Sequence, residues 1–196
     1  IIVSFETCGS LQRCLNSIYG AIHDIEMEVI VVDNHSADGT VEMLRAEAQV
    51  RLIENESNLG FAAAVNIGLQ HAKGEFVILL NPDTVSTQRA FSLSLAHMRS
   101  HEDIGILGCK ILNSDGTIQP SARDFPTLLS IFLESTFLYK ILPHKGILRN
   151  PWITESEKEQ DVDVVKGAFL VIRRKVIDDI GPLDERFFLY SEEQDW

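Results

Sequence analysis

Glu28-Val29-Ile30-Val31-Val32-Asp33-Asn34 and Glu75-Phe76-Val77-Ile78-Leu79-Leu80-Asn81-Pro82-Asp83-Thr84 are apolar runs that each lead to a carboxylate. Short continuous apolar runs bounded by turn formers read as strands buried on both faces, as in parallel sheets. In an open α/β sheet, ligands bind at the carboxyl ends of the strands, near the point where strand order reverses. Two carboxylates at such an edge suggest a place for a nucleotide and a metal ion.

Outward from these strands the pattern alternates. Ile1-Ile2-Val3-Ser4-Phe5 is a first strand, with Ser10 the expected N-cap of the helix after it. Leu11, Cys14, Leu15, Ile18 and Ile22 recur at helical spacing, and Val41, Leu44 and Ala48 fit a second helix. Val50 to Ile53 makes a strand, Gly60 to Ala72 a helix with Phe61, Val65, Leu69 and Ala72 inward, and Gly74 a helix stop. Such alternation predicts βαβ units and an α/β fold with a mostly parallel central sheet. Beyond a helix near Gln88 to Ser100 the alternation ends. Gly105 to Leu112 reads as a strand, Asn113-Ser114-Asp115-Gly116 as a hairpin turn, and Thr117 to Pro126 as a returning strand or loop. Leu148 to Asp161 reads as a polar mobile loop, Val162 to Arg173 as one long strand, and a short helix stops at Gly181-Pro182.

The 196 residues suit one domain with a substantial core. Lys plus Arg number 17 and Asp plus Glu 29, and 17 − 29 gives a net charge of −12. That balance argues against nucleic acid as a partner, since such binding relies on Lys and Arg neutralising phosphates. A phosphate-bearing ligand is compatible when a divalent cation screens the acidic pocket. Cys8, Cys14 and Cys109 form no metal pattern and read as buried free thiols of a reducing, cytoplasmic compartment. Neither Ile1 nor Trp196 looks like a natural terminus, so the sequence reads as part of a longer chain.

Asp33 can accept hydrogen bonds from a nucleobase or ribose, although Asp and Asn are also ordinary turn residues. Asp83, held behind Pro82 where the ladder must stop, is placed to ligate Mg²⁺ or Mn²⁺ with substrate phosphates completing the shell. Its plain alternative is a strand-end turn. Glu192, Glu193 and Asp195 crowd together after an aromatic run, and like charges that close raise one another's pKa, as a general base requires. The plain alternative there is a solvated acidic helix start.

In order, Asp33-Asn34 with Asp38-Gly39-Thr40, Asn58-Leu59-Gly60-Phe61-Ala62 with Asn66-Ile67-Gly68, and Asn81-Pro82-Asp83-Thr84 resemble the family 2 glycosyltransferases, especially bacterial rhamnosyltransferase-like members. Asp115-Gly116, Arg123 with Phe125-Pro126, Gly167-Ala168 with Arg173-Arg174, Gly181-Pro182-Leu183-Asp184-Glu185 and Phe187 to Trp196 extend the resemblance to the whole chain.

The resemblance implies a GT-A fold, with 1–112 as the nucleotide-sugar-binding half and 113–196 as the acceptor-binding half. It implies inverting transfer of a sugar from a UDP- or dTDP-linked donor to a hydroxyl of a glycan or lipid-linked acceptor, in surface polysaccharide or lipid-linked glycan synthesis. Ser4, Phe5, Glu6, Asp33, Asn58, Gly60 and Asn81 fall at donor-nucleotide positions, and Asp83 at the metal position. Gly167, Ala168 and Glu192 fall beside the transferred sugar and acceptor. The chain departs from the family pattern at Asn81, which opens the DxD-like motif, and at Glu193, which stands where Asp is usual for the base. Glu193 is the chosen base and Asp195 the second choice. Phe125 to Leu142 is too short and interrupted to span a bilayer. It reads as a core helix or a contact in a homo-oligomer before a site of peripheral membrane association or of a lipid-linked acceptor. A non-catalytic glycan- or sugar-nucleotide-binding module is the alternative of another class. A sugar-phosphate nucleotidyltransferase is disfavoured because Glu6-Thr7-Cys8, not a Gly-rich basic loop, follows the first strand.

Overall fold

The computed structural model describes residues 1–21, 25–138, 152–153 and 159–196. They form two compact units, Ile1–Cys109 with Gly167–Trp196, and Lys110–Lys166.

The first unit is built on β1 (Ile2–Ser4), β2 (Val29–Asp33) and β3 (Val50–Glu54), which pair in parallel in the order β1-β2-β3. Every residue of β2 is buried, as its unbroken apolar sequence requires. A second set, β4 (Phe76–Leu80), β11 (Phe169–Arg173) and β5 (Ile106–Gly108), has β11 antiparallel to both neighbours. The two sets join through Ile1, whose N donates to the Ile78 carbonyl at 2.7 Å and whose carbonyl accepts from Leu80 N at 3.0 Å. The spatial order is therefore β3-β2-β1-β4-β11-β5, and it reverses direction between β1 and β4. Mostly parallel describes it well, since only β11 runs against the rest.

Helices cover this sheet for the expected reason. α1 (Cys8–Ala21) buries Leu11, Cys14, Leu15, Ile18 and Ala21, one face at helical spacing; Ile22 lies outside the described residues. α2 (Thr40–Ala46) is short. α3 (Phe61–His71) buries Val65 and Leu69, and its Ala64 packs with Ile30 and Val32. Phe61 and Ala72 are only half-buried. α4 (Gln88–Ser100) is capped by Thr87, whose hydroxyl accepts from Ala90 N. α6 (Arg174–Ile180) ends at Gly181 as expected, and α7 (Glu192–Asp195) closes the chain.

Three local expectations are corrected. Ser10 lies inside α1 and donates to the Thr7 carbonyl; the orphan Cys8 N–H is satisfied instead by Asp38 from another loop. Gly74 does not stop α3, which ends with an extended Ala72. Residues 162–173 are two strands, because Val164–Val165 pairs with Ala122–Arg123 whereas β11 pairs with β4 and β5.

The second unit holds β6 (Ile111–Leu112) and β7 (Ile118–Gln119), a hairpin closed by Asn113 N on the Thr117 carbonyl, so residues 105–112 are likewise two strands. β8 (Ala122–Arg123) lies between β9 (Trp152–Ile153) and β10 (Val164–Val165). α5 (Leu128–Ser135) buries Leu133 but leaves Leu128, Ile131 and Phe132 exposed, so these described residues do not make a core helix. Most of 148–161 lies outside the described residues. Among the described residues no helix is long and apolar enough to cross a membrane.

Arg173 and Arg174, neighbours at the end of β11, are structural staples. The Arg173 guanidinium donates to the carbonyls of Met98, His101 and Ile104 as α4 ends, and Arg174 donates to those of Ala72 and Gly74. Arg173→Ala leaves those carbonyls without their charged donor. The expected loss is about 2–3 kcal/mol in urea unfolding, with Arg173→Lys recovering only part; an unchanged midpoint would remove this role.

Candidate functional site

β1, β2 and β4 deliver their carboxyl ends to one edge, where the sheet order reverses. Asp33, at the end of β2, has no exposed surface. A buried carboxylate demands hydrogen-bond donors, and three converge on it. Ser4 Oγ and Ser36 Oγ each donate to Oδ2 at 2.7 Å, and Ser36 N donates to Oδ1 at 2.8 Å. The same contacts draw the loops after β1 and β2 together. Glu6 N donates to Ser36 Oγ, and the Glu6 carboxylate accepts from Ala37 N. Asp38 accepts from Cys8 N and from Thr40, and the Thr40 hydroxyl, then the Cys8 amide, holds its carboxyl below the ordinary range. Two bulky residues accept left-handed backbones here, Glu6 with φ 54° and His35 with φ 69°. Phe5 stands 46% exposed beside this clamp, an open ring face at the strand edge.

The Asn81-Pro82-Asp83-Thr84 turn is bonded to the loop that precedes β11. Asn81 N and Thr84 Oγ1 both donate to the Ala168 carbonyl, so Gly167 and Ala168 lie against the Asp83 turn. Asp83 is exposed, and no described residue donates a hydrogen bond to its carboxylate. Its charge is felt by Cys14, whose thiol is pushed up to about 12 by burial first and by Asp83 second. Of the three thiols only Cys14 is fully buried; Cys8 and Cys109 are half-buried. No cluster of three or more His, Cys, Asp or Glu capable of holding a metal occurs among the described residues. A single open carboxylate still fits Mg²⁺ or Mn²⁺, which keep water and draw their remaining ligands from substrate phosphates.

Asn58 and Gly60 flank the same edge. Asn58 Oδ1 accepts from Gly60 N, Asn34 Nδ2 donates to the Gly60 carbonyl at 3.0 Å, and Asn55 Nδ2 donates to Asn34 Oδ1. Beyond Gly60, Phe61 N donates to the Phe188 carbonyl at 2.7 Å, which ties this loop to the segment carrying the acidic residues. In that segment Glu192 is buried, Glu193 half-buried and Asp195 exposed. Glu192 Oε2 has no hydrogen-bond partner among the described residues. Burial is the main cause of its raised pKa, and the neighbouring Glu193 charge is the lesser one. The expected mutual repulsion within the cluster is thus a secondary effect.

Ser36, Asn34, Asp38 and Asn66 take structural parts that sequence reasoning did not assign. The cluster of Asn, Ser and Asp in residues 34–39 was the available signal, since such side chains bond backbone in loops. A cavity of about 630 Å³ lies elsewhere, lined by Ile1, Met27, Glu28, Lys73 and Phe76, and none of the strand-end carboxylates touches it.

Residues 1–181 match the family described as Glycosyl transferase family 2. The chain belongs to that family. Over its whole length it is 30% identical to N-acetylglucosaminyl-diphospho-decaprenol L-rhamnosyltransferase of Mycobacterium tuberculosis, and it spans 67% of that protein. Among solved structures it is similar to mannosyltransferase PcManGT from Pyrobaculum calidifontis, in complex with GDP-Man and Mn²⁺. That likeness has a TM-score of 0.64 at 19% identity and covers 94% of this chain and 46% of that one. It is similar also to Staphylococcus aureus TarS 1–349 in complex with UDP-GlcNAc, with a TM-score of 0.61 at 21% identity over 98% of this chain and 50% of that one. The fold is the GT-A fold of this glycosyltransferase family, and the chain spans about half the length of these structural neighbours.

In this glycosyltransferase the burial of Glu192 has a consequence for stability. A carboxyl whose pKa is higher folded than unfolded keeps its proton better in the folded state, so stability falls as pH rises from the ordinary value of 4.5 through the raised one. Glu192→Gln should match the parent at about pH 4 and exceed it at about pH 7.5 in urea unfolding. Parallel pH profiles for the two proteins would show that Glu192 carries no such penalty.

Proposed function

We propose that this chain transfers a sugar from a UDP- or dTDP-linked donor to a hydroxyl of a glycan or lipid-linked acceptor, with inversion at the anomeric carbon. The observation that carries the reading is the convergence of the Ser4–Asp33–Ser36 clamp and the Asn81–Asp83 turn at the reversal point of the sheet. Residues 1–112 serve the donor in this reading and 113–196 the acceptor. The name of the mycobacterial relative supports a lipid-linked acceptor and rhamnose as a sugar to test first. A net charge of −12 disfavours nucleic acid as partner.

Phe5 and Glu6 form the base-facing edge, with Phe5 offering its open ring to a planar base, and the buried Ser4 and Asp33 brace that edge from behind. Asp33 holds the two loops in register, and Asn58, Gly60 and Asn81 bound the nucleotide. Asp83 would hold Mg²⁺ or Mn²⁺, which when bound supplies neutralisation of the diphosphate charge. Gly167 and Ala168 leave room beside the transferred sugar, and Glu192 lies on its acceptor side. Glu193 takes the proton from the acceptor hydroxyl while that oxygen attacks from the face opposite the leaving diphosphate, and Asp195 is its alternate. Holding donor and acceptor together contributes much of the rate. A cytoplasmic enzyme acting at the membrane face, alone or as a homo-oligomer, is consistent with a lipid-linked acceptor.

Calorimetric titration of UDP and dTDP, with Mn²⁺ and then with EDTA, tests the donor site. Binding that needs metal, and that Asp83→Ala abolishes, is expected; equal binding without metal would remove Asp83 from the role. Glu193→Gln should keep donor affinity while lowering transfer by roughly 10²–10⁴-fold. Full activity in that variant would move the base to Asp195.

A further inference from the structure

We propose that Asn66, which is not placed against substrate, and Gly60, which also bounds the nucleotide, are positioning residues that fix the Glu192–Asp195 segment for transfer. The proposal rests on the reading of Glu193 as the base. Asn66 sits in the middle of α3 and is 4% exposed, an uncommon place for a primary amide. All three of its side-chain hydrogen bonds are directed at the C-terminal segment. Oδ1 accepts from Leu183 N at 2.9 Å, while Nδ2 donates to the Leu183 carbonyl at 2.8 Å and to Glu185 Oε1 at 3.0 Å. A side-chain amide pairing with both groups of one residue reproduces what a neighbouring strand would offer, and it fixes that residue's register. Ala offers neither partner, and Asp offers only the acceptor.

The second attachment lies at the N-cap of the same helix. Gly60 has φ 86° and ψ 176°, a region essentially confined to glycine. A Cβ there would stand 2.5 Å from the Phe188 carbonyl oxygen and 2.8 Å from its ring. The close approach is what lets Phe61 N reach that carbonyl at 2.7 Å. α3 therefore grips the segment at Leu183 and Glu185 and again at Phe188. Immediately after the second grip, Tyr190 (φ 69°) and Ser191 (φ 72°) are both left-handed, two consecutive strained non-glycine residues. Such backbones persist only where the surroundings hold them. They turn the chain so that Glu192 is buried and Glu193 half-buried. Trp196 Nε1 donates to the Gly181 carbonyl at 2.9 Å and ties the end of the turn back to its start.

Gly60 also joins the donor edge, because its carbonyl accepts from Asn34, the neighbour of Asp33. The first turn of α3 thereby sets the separation between the nucleotide loops and the acidic segment. Loosening the Asn66 grip should let Glu193 wander while leaving the Asp33 clamp intact.

The test uses the full-length protein and its Asn66→Ala, Glu193→Gln and doubly substituted variants. Three readouts are hydrogen exchange by mass spectrometry, affinity for UDP and dTDP with Mn²⁺, and nucleoside diphosphate release from dTDP-rhamnose and UDP-N-acetylglucosamine with water as acceptor. Asn66→Ala should speed exchange in residues 182–196 and leave the loops after β1 and β2 protected. It should lower kcat about tenfold or more with affinity changed less than about twofold, and add no further loss to Glu193→Gln. Asn66→Gln, which keeps the amide on a longer arm, should fall between, and it carries the same comparison if the alanine variant does not fold. Unchanged exchange with unchanged kcat, loosening spread through the whole unit, or losses that simply add would each overturn the proposal. Wild-type turnover in Glu193→Gln would refute the base assignment instead, and the exchange data would still decide whether Asn66 holds the segment.

Discussion

A carboxylate with no exposed surface, at the end of a strand with no exposed residue, is the constraint on which the site depends. Asp33 can be buried there only because Ser4 and Ser36 satisfy it, and those two serines belong to different loops. Its demand for donors therefore closes the loops after β1 and β2 onto one another. From that contact follow the left-handed backbones of Glu6 and His35, the bond between Glu6 and Ala37, and the capping of α1 by Asp38. The desolvation cost of one buried carboxyl group is offset by a network that also shapes the edge where Phe5 stands open.

The opposite wall of the edge depends on β11. By entering antiparallel between β4 and β5, it brings the Ala168 carbonyl to Asn81 and Thr84 and so braces the Asp83 turn from a residue far along the chain. Its other end places Arg173 and Arg174 over the carbonyls that α4 and α3 leave unpaired. One strand thus secures both edges of the sheet, with its charged residues kept away from the donor edge. α3 is the second shared mount, bonded at its first turn to Phe188 and at its centre to Leu183.

The readable parts of the sequence were those whose physics is local. Leu11, Cys14, Leu15 and Ile18 announce a helix by their spacing, and Val29 to Val32 announce a buried strand by having no polar partner in the alternation. Asp115-Gly116 announces a hairpin turn because few other pairs accept that backbone. Where a group's partner is distant, reading failed or misled. Ser10 looked like a cap by adjacency, yet Asp38 performs the capping of Cys8. Residues 162–173 looked like one strand by composition, yet its two halves pair with different strands. Repulsion seemed to govern Glu192, yet its burial matters more, and burial is a property of the packed chain.

The sequence by itself determined the alternation of strands and helices and the placing of Asp33 and Asp83 at strand ends, which rest on residue type and spacing along the chain. It also carried the glycosyltransferase family, through the resemblance of its ordered motifs to that family. Only the tertiary structure decided that Asp33 is enclosed by Ser4 and Ser36 while Asp83 stays open, that β11 runs against its neighbours, and that Asn66 grips Leu183. These depend on which distant groups meet, and a hydrogen bond between residues 117 positions apart has no signature in the local pattern of either.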